Sequence, residues 1–301
     1  MAPRVSIIIP NYNHAPFLKE RINSILSQTF TDYELIILDD CSSDESRLII
    51  EEFAHHPQVS AVVFNSQNSK STFRQWNKGL ELAKGELIWI AESDDIADPK
   101  FLELAVNSFE KHSHIGLYEC QSFWIDAQGK LLYPPPQPAV PQLFSGKAFI
   151  LDKMLLGNSI HNASAVVFKK SLVELPLPTD ITNFRYCGDW LFWVRLLAKA
   201  DIYVDGSFHN YFRRHDNNVS GNAEKNGLAF LEGIQVYGAI RKMFRSSFLN
   251  PIRKSDRTWA SSLLFSPLSE DIKKRFLKTS RRVNPFISLL YRYYQLKKAS
   301  S

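Results

Sequence analysis

Leu87-Ile88-Trp89-Ile90-Ala91-Glu92-Ser93-Asp94-Asp95 decides how the chain is read. An apolar, strand-prone run stops abruptly at two adjacent carboxylates. Asp94 and Asp95 cannot continue a buried strand, so they are expected at its C-terminal mouth, where open α/β sheets bind ligands. Two carboxylates held together repel unless a cation lies with them. The simplest such cation is Mg2+ or Mn2+, shared between protein carboxylates and substrate phosphates. Taken alone, the pair fits equally well as a strand-to-loop turn that caps the next segment of chain.

The same pattern recurs on either side. Residues 5–10 form a β-branched run ended by Pro10, residues 33–38 a second strand stopped by Asp39-Asp40, and residues 59–64 a third. Apolar residues at helical spacing predict helices over 16–28, from the polar 41–45 turn to about 55, over 73–83 and over 99–112. This alternation predicts an α/β fold with a Rossmann-like, mainly parallel, doubly wound sheet flanked by helices. The next part is less regular. Strands are expected at 116–120, 122–125, 163–168, 202–204 and 209–213, with a proline-rich loop over 134–141. A helical stretch opens on Asp189, and the pattern is helical from about Glu224 onward. The domains expected are 1–222, with halves 1–115 and 116–222, and a helical basic region 223–301.

With 301 residues, 45% hydrophobic and 22% charged, the chain suits one large soluble domain with an appendage. Residues 241–301 hold 15 Lys+Arg against 3 Asp+Glu; this net of +12 leaves −7 for the rest of a chain whose total is +5. A basic tail that mixes Arg281, Arg282 and Arg292 with Phe286, Tyr293 and Tyr294 suits an anionic membrane surface. It suits equally a solvated face on helices packed against the body; no motif points to nucleic acid. Cys41, Cys120 and Cys187 lack metal-ligand or disulfide spacing, as expected in a reducing compartment. The first residues do not read as a signal peptide, and no apolar run approaches the ~20 residues of a membrane helix. A cytoplasmic location is the resulting expectation, peripheral on the inner face of the plasma membrane if the tail meets lipid.

Three strands thus end in polar loops that would lie side by side: Pro10-Asn11-Tyr12-Asn13, Asp39-Asp40 and Asp94-Asp95. Together they offer an aromatic face for a base, carboxylates for base N–H or ribose hydroxyls, and carboxylates for a metal. Neither Gly-x-Gly-x-x-Gly nor Gly-x-x-x-x-Gly-Lys-[Ser/Thr] occurs, so the usual glycine-rich phosphate loops are absent.

These motifs, with Ser24-Ile25-Leu26-Ser27-Gln28-Thr29-Phe30 and the run from Glu34 to Asp44, resemble those of the family 2 glycosyltransferases. The likeness is close over roughly the first 115 residues. It implies the GT-A fold and transfer with inversion at the anomeric carbon. It also implies roles: Pro10, Tyr12 and Asn13 at the nucleobase, with the Tyr12 ring against it; Asp40 accepting from the base N–H; Arg74 and Asn77 on the base or diphosphate. Asp94 would meet the ribose or sugar and Asp95 would ligate Mn2+ or Mg2+. His215 would join that ion or touch the diphosphate, and Arg213 or Arg214 would offset phosphate charge. The loop from Asn68 to Phe73 lacks the glycine that relatives often carry. Inverting transfer needs a base for the acceptor hydroxyl. Cys187-Gly188-Asp189-Trp190 resembles the family's acidic motif, with Gly188 in place of the first acid, and implies Asp189 as that base; Asp189 also suits a helix N-cap.

The expected function is therefore a metal-dependent, inverting, non-processive glycosyltransferase. Its donor would be a nucleotide-sugar, a UDP-sugar favoured, and its acceptor a glycan or lipid-linked glycan in bacterial surface polysaccharide synthesis. The Gln-x-x-Arg-Trp motif of processive relatives is absent. A nucleotidyltransferase of sugar phosphates is the competing enzyme class, but Asn11-Tyr12-Asn13-His14 is not the glycine-rich triphosphate loop it needs. An inactive nucleotide-sugar-binding module is the non-enzymatic alternative.

Overall fold

A computed structural model describes residues 2–134, 136–215, 227–244 and 250–299. The first half matches the sequence pattern closely. Strands β1 (Val5–Asn11), β2 (Tyr33–Asp39), β3 (Val59–Phe64) and β4 (Leu87–Ile90) alternate with helices α1 (Ala15–Leu26), α2 (Ser46–Phe53) and α3 (Thr72–Leu82). A two-residue strand, β5 (Ile96–Ala97), and α4 (Phe101–Lys111) come next. The strands form because their β-branched residues are wanted on both faces of the sheet: β1, β2 and β4 are buried along their whole lengths. Helix α3 lies close to β1. A Cβ on Gly79 would fall 2.4 Å from Ile8 Cγ2, so this contact requires glycine.

The second half adds β6 (Ile115–Ile125), β7 (Gln142–Phe144), α5 (Gly146–Lys153), β8 (Val166–Lys169), α6 (Thr179–Thr182), α7 (Gly188–Leu197) and β9 (Asp201–Arg213). Nine strands make one sheet in the order β3-β2-β1-β4-β8-β6-β9-β5, with β7 also on β9. Strands β3, β2, β1, β4, β6 and β9 run one way and β8, β5 and β7 the other, so the sheet is mainly parallel as expected. Because β2 and β4 flank β1, the chain reverses its winding there and opens a crevice at the strands' C-terminal ends.

Three local expectations change. Strand β1 runs through Pro10 to Asn11: its pairing with β4 stops at Ile8–Ile90, so the missing proline N–H falls where one side of β1 is already unpaired. The two pairs of short strands expected at 116–125 and 202–213 are single strands, β6 and β9. Register shifts at Ile115/Leu117, Glu119/Gln121 and Gln121/Ser122 break the alternation that sequence reading relies on. Residues 163–165 form a 3-10 turn, because the Asn162 side chain accepts the Ser164 N–H at 2.6 Å.

Among the described residues four helices follow: α8 (Leu228–Met243), α9 (Asn250–Phe265), α10 (Glu270–Val283) and α11 (Pro285–Ala299). Buried Asp256 ties three of them, accepting from Arg241 Nη1 (2.8 Å), Tyr237 Oη (2.8 Å) and Asn284 Nδ2 (2.9 Å). The expected boundary between 222 and 223 lies outside the described residues. The chain divides into two compact units: Met1–Gly146, Ile160–Arg185 and Leu196–His215 form one, and Lys147–Ser159, Tyr186–Arg195 and Asp216–Ser301 the other. Residues 147–159 and 186–195, expected in the catalytic half, therefore group with the C-terminal helices. No helix among the described residues is long and apolar enough to cross a membrane.

Candidate active site

In the sheet unit, the mouths of β1, β2 and β4 carry the residues picked out by sequence. Tyr12 is 48% exposed, as a ring offered to a flat ligand must be. Pro10 and Asn11 are buried beneath it. Asn13 adopts a left-handed backbone (φ 54°), and its Oδ1 accepts the Ser43 N–H at 2.8 Å, binding the first loop to the second.

The adjacent aspartates of β2 are engaged by their own chain. Asp39 accepts from Asn11 Nδ2 (2.9 Å) and from the Ser42 N–H (3.0 Å). Asp40 Oδ1 accepts from Asn65 Nδ2 (2.7 Å), the Ser69 N–H (2.9 Å) and Gln75 Nε2 (2.8 Å), while Oδ2 takes only the Ser69 hydroxyl (2.8 Å). Asp40 thus builds the loop before α3 and keeps acceptor capacity on Oδ2. Gln75 Oε1, beside it, is buried with no partner among the described residues. The loop has no glycine, and Lys70 takes the left-handed conformation instead (φ 62°). That conformation costs a non-glycine residue about 1–2 kcal/mol, which the bonds from Asp40 to this loop offset. Arg74 is exposed and donates to the Ser69 carbonyl (3.1 Å). Asn77 bonds Glu81 (2.8 Å) and the Leu177 N–H (2.6 Å).

At the mouth of β4 the two aspartates take different partners. Asp95, expected to hold the ion, is 1% exposed and filled: Oδ2 accepts from Asn162 Nδ2 (2.8 Å) and Ser164 Oγ (2.7 Å), and Oδ1 from the Arg213 N–H (2.9 Å). Asp94, expected to hold the sugar, faces histidines: His215 Nε2 lies 3.0 Å from Asp94 Oδ2. His14 completes the group, and the ligand atoms of His14, Asp94 and His215 all lie within 4.8 Å of one another. The hydroxyl of Ser93, 2.8 Å from His14 Nδ1, orients that ring. His215 thus pairs with Asp94 and not with Asp95, because Asn162, Ser164 and Arg213 have taken the second carboxylate inward.

The surrounding charges explain the protonation states. Burial works to raise Asp94, but the hydrogen bond from His215 and the charges of His14 and His215 outweigh it and hold the carboxyl below its ordinary value. Burial lowers His14, against the pull of Asp94, which favours the neutral ring that a metal needs. Burial and then the charge of Asp94 push Asp95 up to about 6, and burial with both aspartates pushes Glu92 up to about 8. Two buried guanidiniums balance them. Arg21 lies 5.3 Å over Trp89, bonds the Glu92 carbonyl at 2.8 Å, and is lowered by burial to about 10, still cationic at neutral pH. Arg213 bonds the Asp94 carbonyl (2.8 Å), the carbonyls of Asp126 and Ala127, and Glu20. It fastens the segment bearing His215 and is not turned toward a ligand. Arg214 lies 5.4 Å over Trp124. Residues 216–220 of the same motif lie outside the described residues.

In the helical unit, Asp189 is in the first turn of α7. Asn158 Nδ2 donates to its Oδ2 (2.9 Å) and the Trp190 N–H to its Oδ1 (2.7 Å). Burial pushes its carboxyl up to about 7, partly offset by these two donors. The N–H groups of Tyr186 and Cys187, leading into α7, go to Glu232 Oε2 at 2.9 and 2.8 Å. Glu232 and Asp189 thus share the first N–H groups of this helix entry.

Sequence reading missed His14, Arg21, Asn158, Ser164 and Glu232 in these roles. His14 and Arg21 carried signals: one ends the Asn11-Tyr12-Asn13 loop, and the other puts a charge on the apolar face between Leu18 and Ile22, Ile25. The rest act through tertiary hydrogen bonds that no local pattern reveals.

An exposed aromatic ring, bonded carboxylates and a carboxylate between two histidines thus lie at the mouths of the sheet's central strands. Residues 6–164 match the family described as glycosyl transferase family 2, and the chain belongs to that family. It is 27% identical over 259 residues to poly(ribitol-phosphate) beta-N-acetylglucosaminyltransferase TarP of Staphylococcus aureus, covering 84% of this chain and 74% of that protein. It is 26% identical over 240 residues to the GalNAc(5)-diNAcBac-PP-undecaprenol beta-1,3-glucosyltransferase of Campylobacter jejuni (76% and 72%). The fold matches the crystal structure of S. aureus TarS 1-349 in complex with UDP-GlcNAc, with TM-score 0.69, 18% identity, and 92% and 79% of the two chains covered. The chain is a glycosyltransferase, and the nucleotidyltransferase alternative falls away.

Proposed function

We propose that this chain is a metal-dependent, inverting, non-processive glycosyltransferase. It moves a hexosyl or N-acetylhexosaminyl group from a UDP-sugar to a glycan or lipid-linked acceptor in bacterial surface polysaccharide synthesis. The observation that carries the reading is the grouping of His14, Asp94 and His215 beside the exposed ring of Tyr12. The related S. aureus and C. jejuni enzymes act on a poly(ribitol-phosphate) and an undecaprenol-diphosphate glycan, which supports a surface-glycan acceptor.

The base stacks on Tyr12 over Pro10 and Asn13, its N–H donating to Asp40 Oδ2. Arg74, Asn77 and Arg214 flank the donor. Asp94, His215 and His14 would hold the ion; two imidazoles and one carboxylate suit Mn2+ better than Mg2+, which prefers an all-oxygen shell. When bound, the ion offsets the charge of the leaving diphosphate. Asp189 takes the proton of the acceptor hydroxyl as its oxygen bonds C1 of the sugar. The C1–O bond to the diphosphate breaks, and the nucleoside diphosphate leaves with that electron pair. A half-buried carboxylate raised to about 7 is matched to this task.

Titration calorimetry with UDP, with and without Mn2+, tests the donor half. Wild type is expected to bind UDP only with metal, and Asp94→Asn to lose that Mn2+-supported binding. Metal-independent UDP binding by wild type would overturn the assignment. Sugar turnover by wild type separates the enzyme from an inactive binding module.

A further inference from the structure

Helix α11 keeps its inner face in the fold by burying Ile287, Ser288 and Tyr291. Its outer face is unlike a solvated one. Phe286, Leu289, Tyr293 and Leu296 are 53%, 58%, 58% and 71% exposed. At 3.6 residues per turn these four fall within an arc of about 80°, opposite the buried side. Arg292 borders that arc on one side and Lys297 on the other. Four large apolar side chains lined up in water are rarely left without a purpose.

Charge identifies the occupant. Residues 272–301 contain nine Lys+Arg and no Asp or Glu. A second copy meeting this face symmetrically would set like charges against one another. An anionic bilayer satisfies both features: the apolar stripe enters the headgroup boundary and the flanking cations meet lipid phosphates.

We propose that α11 is a docking surface for an anionic lipid leaflet, seated through Phe286, Leu289, Tyr293 and Leu296 and held by the flanking Arg292 and Lys297. This contact adds to the glycosyl transfer reaction and is independent of its chemistry. The test is co-sedimentation with phosphatidylcholine vesicles and with phosphatidylcholine–phosphatidylglycerol vesicles. Wild type is expected to bind the mixed vesicles, weakly the neutral ones, and less as salt rises. Two variants separate the parts: Phe286→Ser/Leu289→Ser/Tyr293→Ser/Leu296→Ser removes the stripe, and Arg292→Glu/Lys297→Glu reverses the flanks. All six positions are exposed, so unchanged melting temperature and UDP binding are expected. Each variant should partition on the order of tenfold more weakly. Equal sedimentation of wild type and the stripe variant would overturn the proposal. So would a lipid-free wild-type dimer, seen by sedimentation velocity, that the stripe variant dissolves.

Discussion

Asp94, buried at the mouth of β4, and Asp189, half-buried in the first turn of α7, have surroundings that pull opposite ways. Asp94 has histidines as neighbours, and they hold its carboxyl below the ordinary range. Asp189 has one amide, one backbone N–H and the negative Glu232, and burial carries it up to about 7. Residue type does not set the role; the neighbours do. One environment is fit for a cation and the other for a proton.

The largest effect tests the second environment. Asp189→Asn should cut transfer by about 10²–10⁴, the usual worth of a general base, with Mn2+-dependent UDP binding unchanged in calorimetry. Transfer at the wild-type rate would assign the base elsewhere. Next come the adjacent aspartates. Asp94→Asn should abolish Mn2+-supported UDP binding with little change in melting temperature. Asp95→Asn leaves buried Asn162, Ser164 and the Arg213 N–H poorly matched and should lower stability by about 1–3 kcal/mol in denaturant unfolding. Exchanged phenotypes would put the ion on Asp95.

The fold was legible because the first four strands are buried on both faces and announce themselves as β-branched runs. The β6 and β9 bulges and the 3-10 turn after Asn162 were not, since each depends on hydrogen bonds across the sheet or within a turn. The site was legible as positions but not as partners. Asp94-Asp95 marks the mouth of β4 from sequence, while the choice between the two acids is made by Asn162 and Ser164, nearly seventy residues away. Interleaving of the two units was also hidden, because Asp189 reads as part of the sheet body and its supports come from Asn158 and Glu232.

Asp189 also predicts a pH dependence. As the base it must be ionised, so kcat/KM should rise with pH through about 7 and then level, a limb that Asp189→Asn removes. The stability sign is opposite. The folded carboxyl binds its proton more tightly than an unfolded one at 3.8, so this group's contribution to stability falls as pH rises from about 3.8 to about 7. Melting temperatures across that window should show a shallower decline in Asp189→Asn.

The smallest expected effect separates the carboxylate from its helix entry. Glu232 raises Asp189 through its charge and accepts the N–H groups of Tyr186 and Cys187. Glu232→Gln keeps an acceptor oxygen but removes the charge. A neutral acceptor in place of a charged one should lower stability by about 1 kcal/mol and, with less repulsion, Asp189 should ionise at lower pH. The rising limb of kcat/KM should therefore move to lower pH with its plateau nearly unchanged. A limb that stays in place while stability falls would mean that Glu232 only fastens the entry to α7 and that burial alone sets the proton affinity of Asp189.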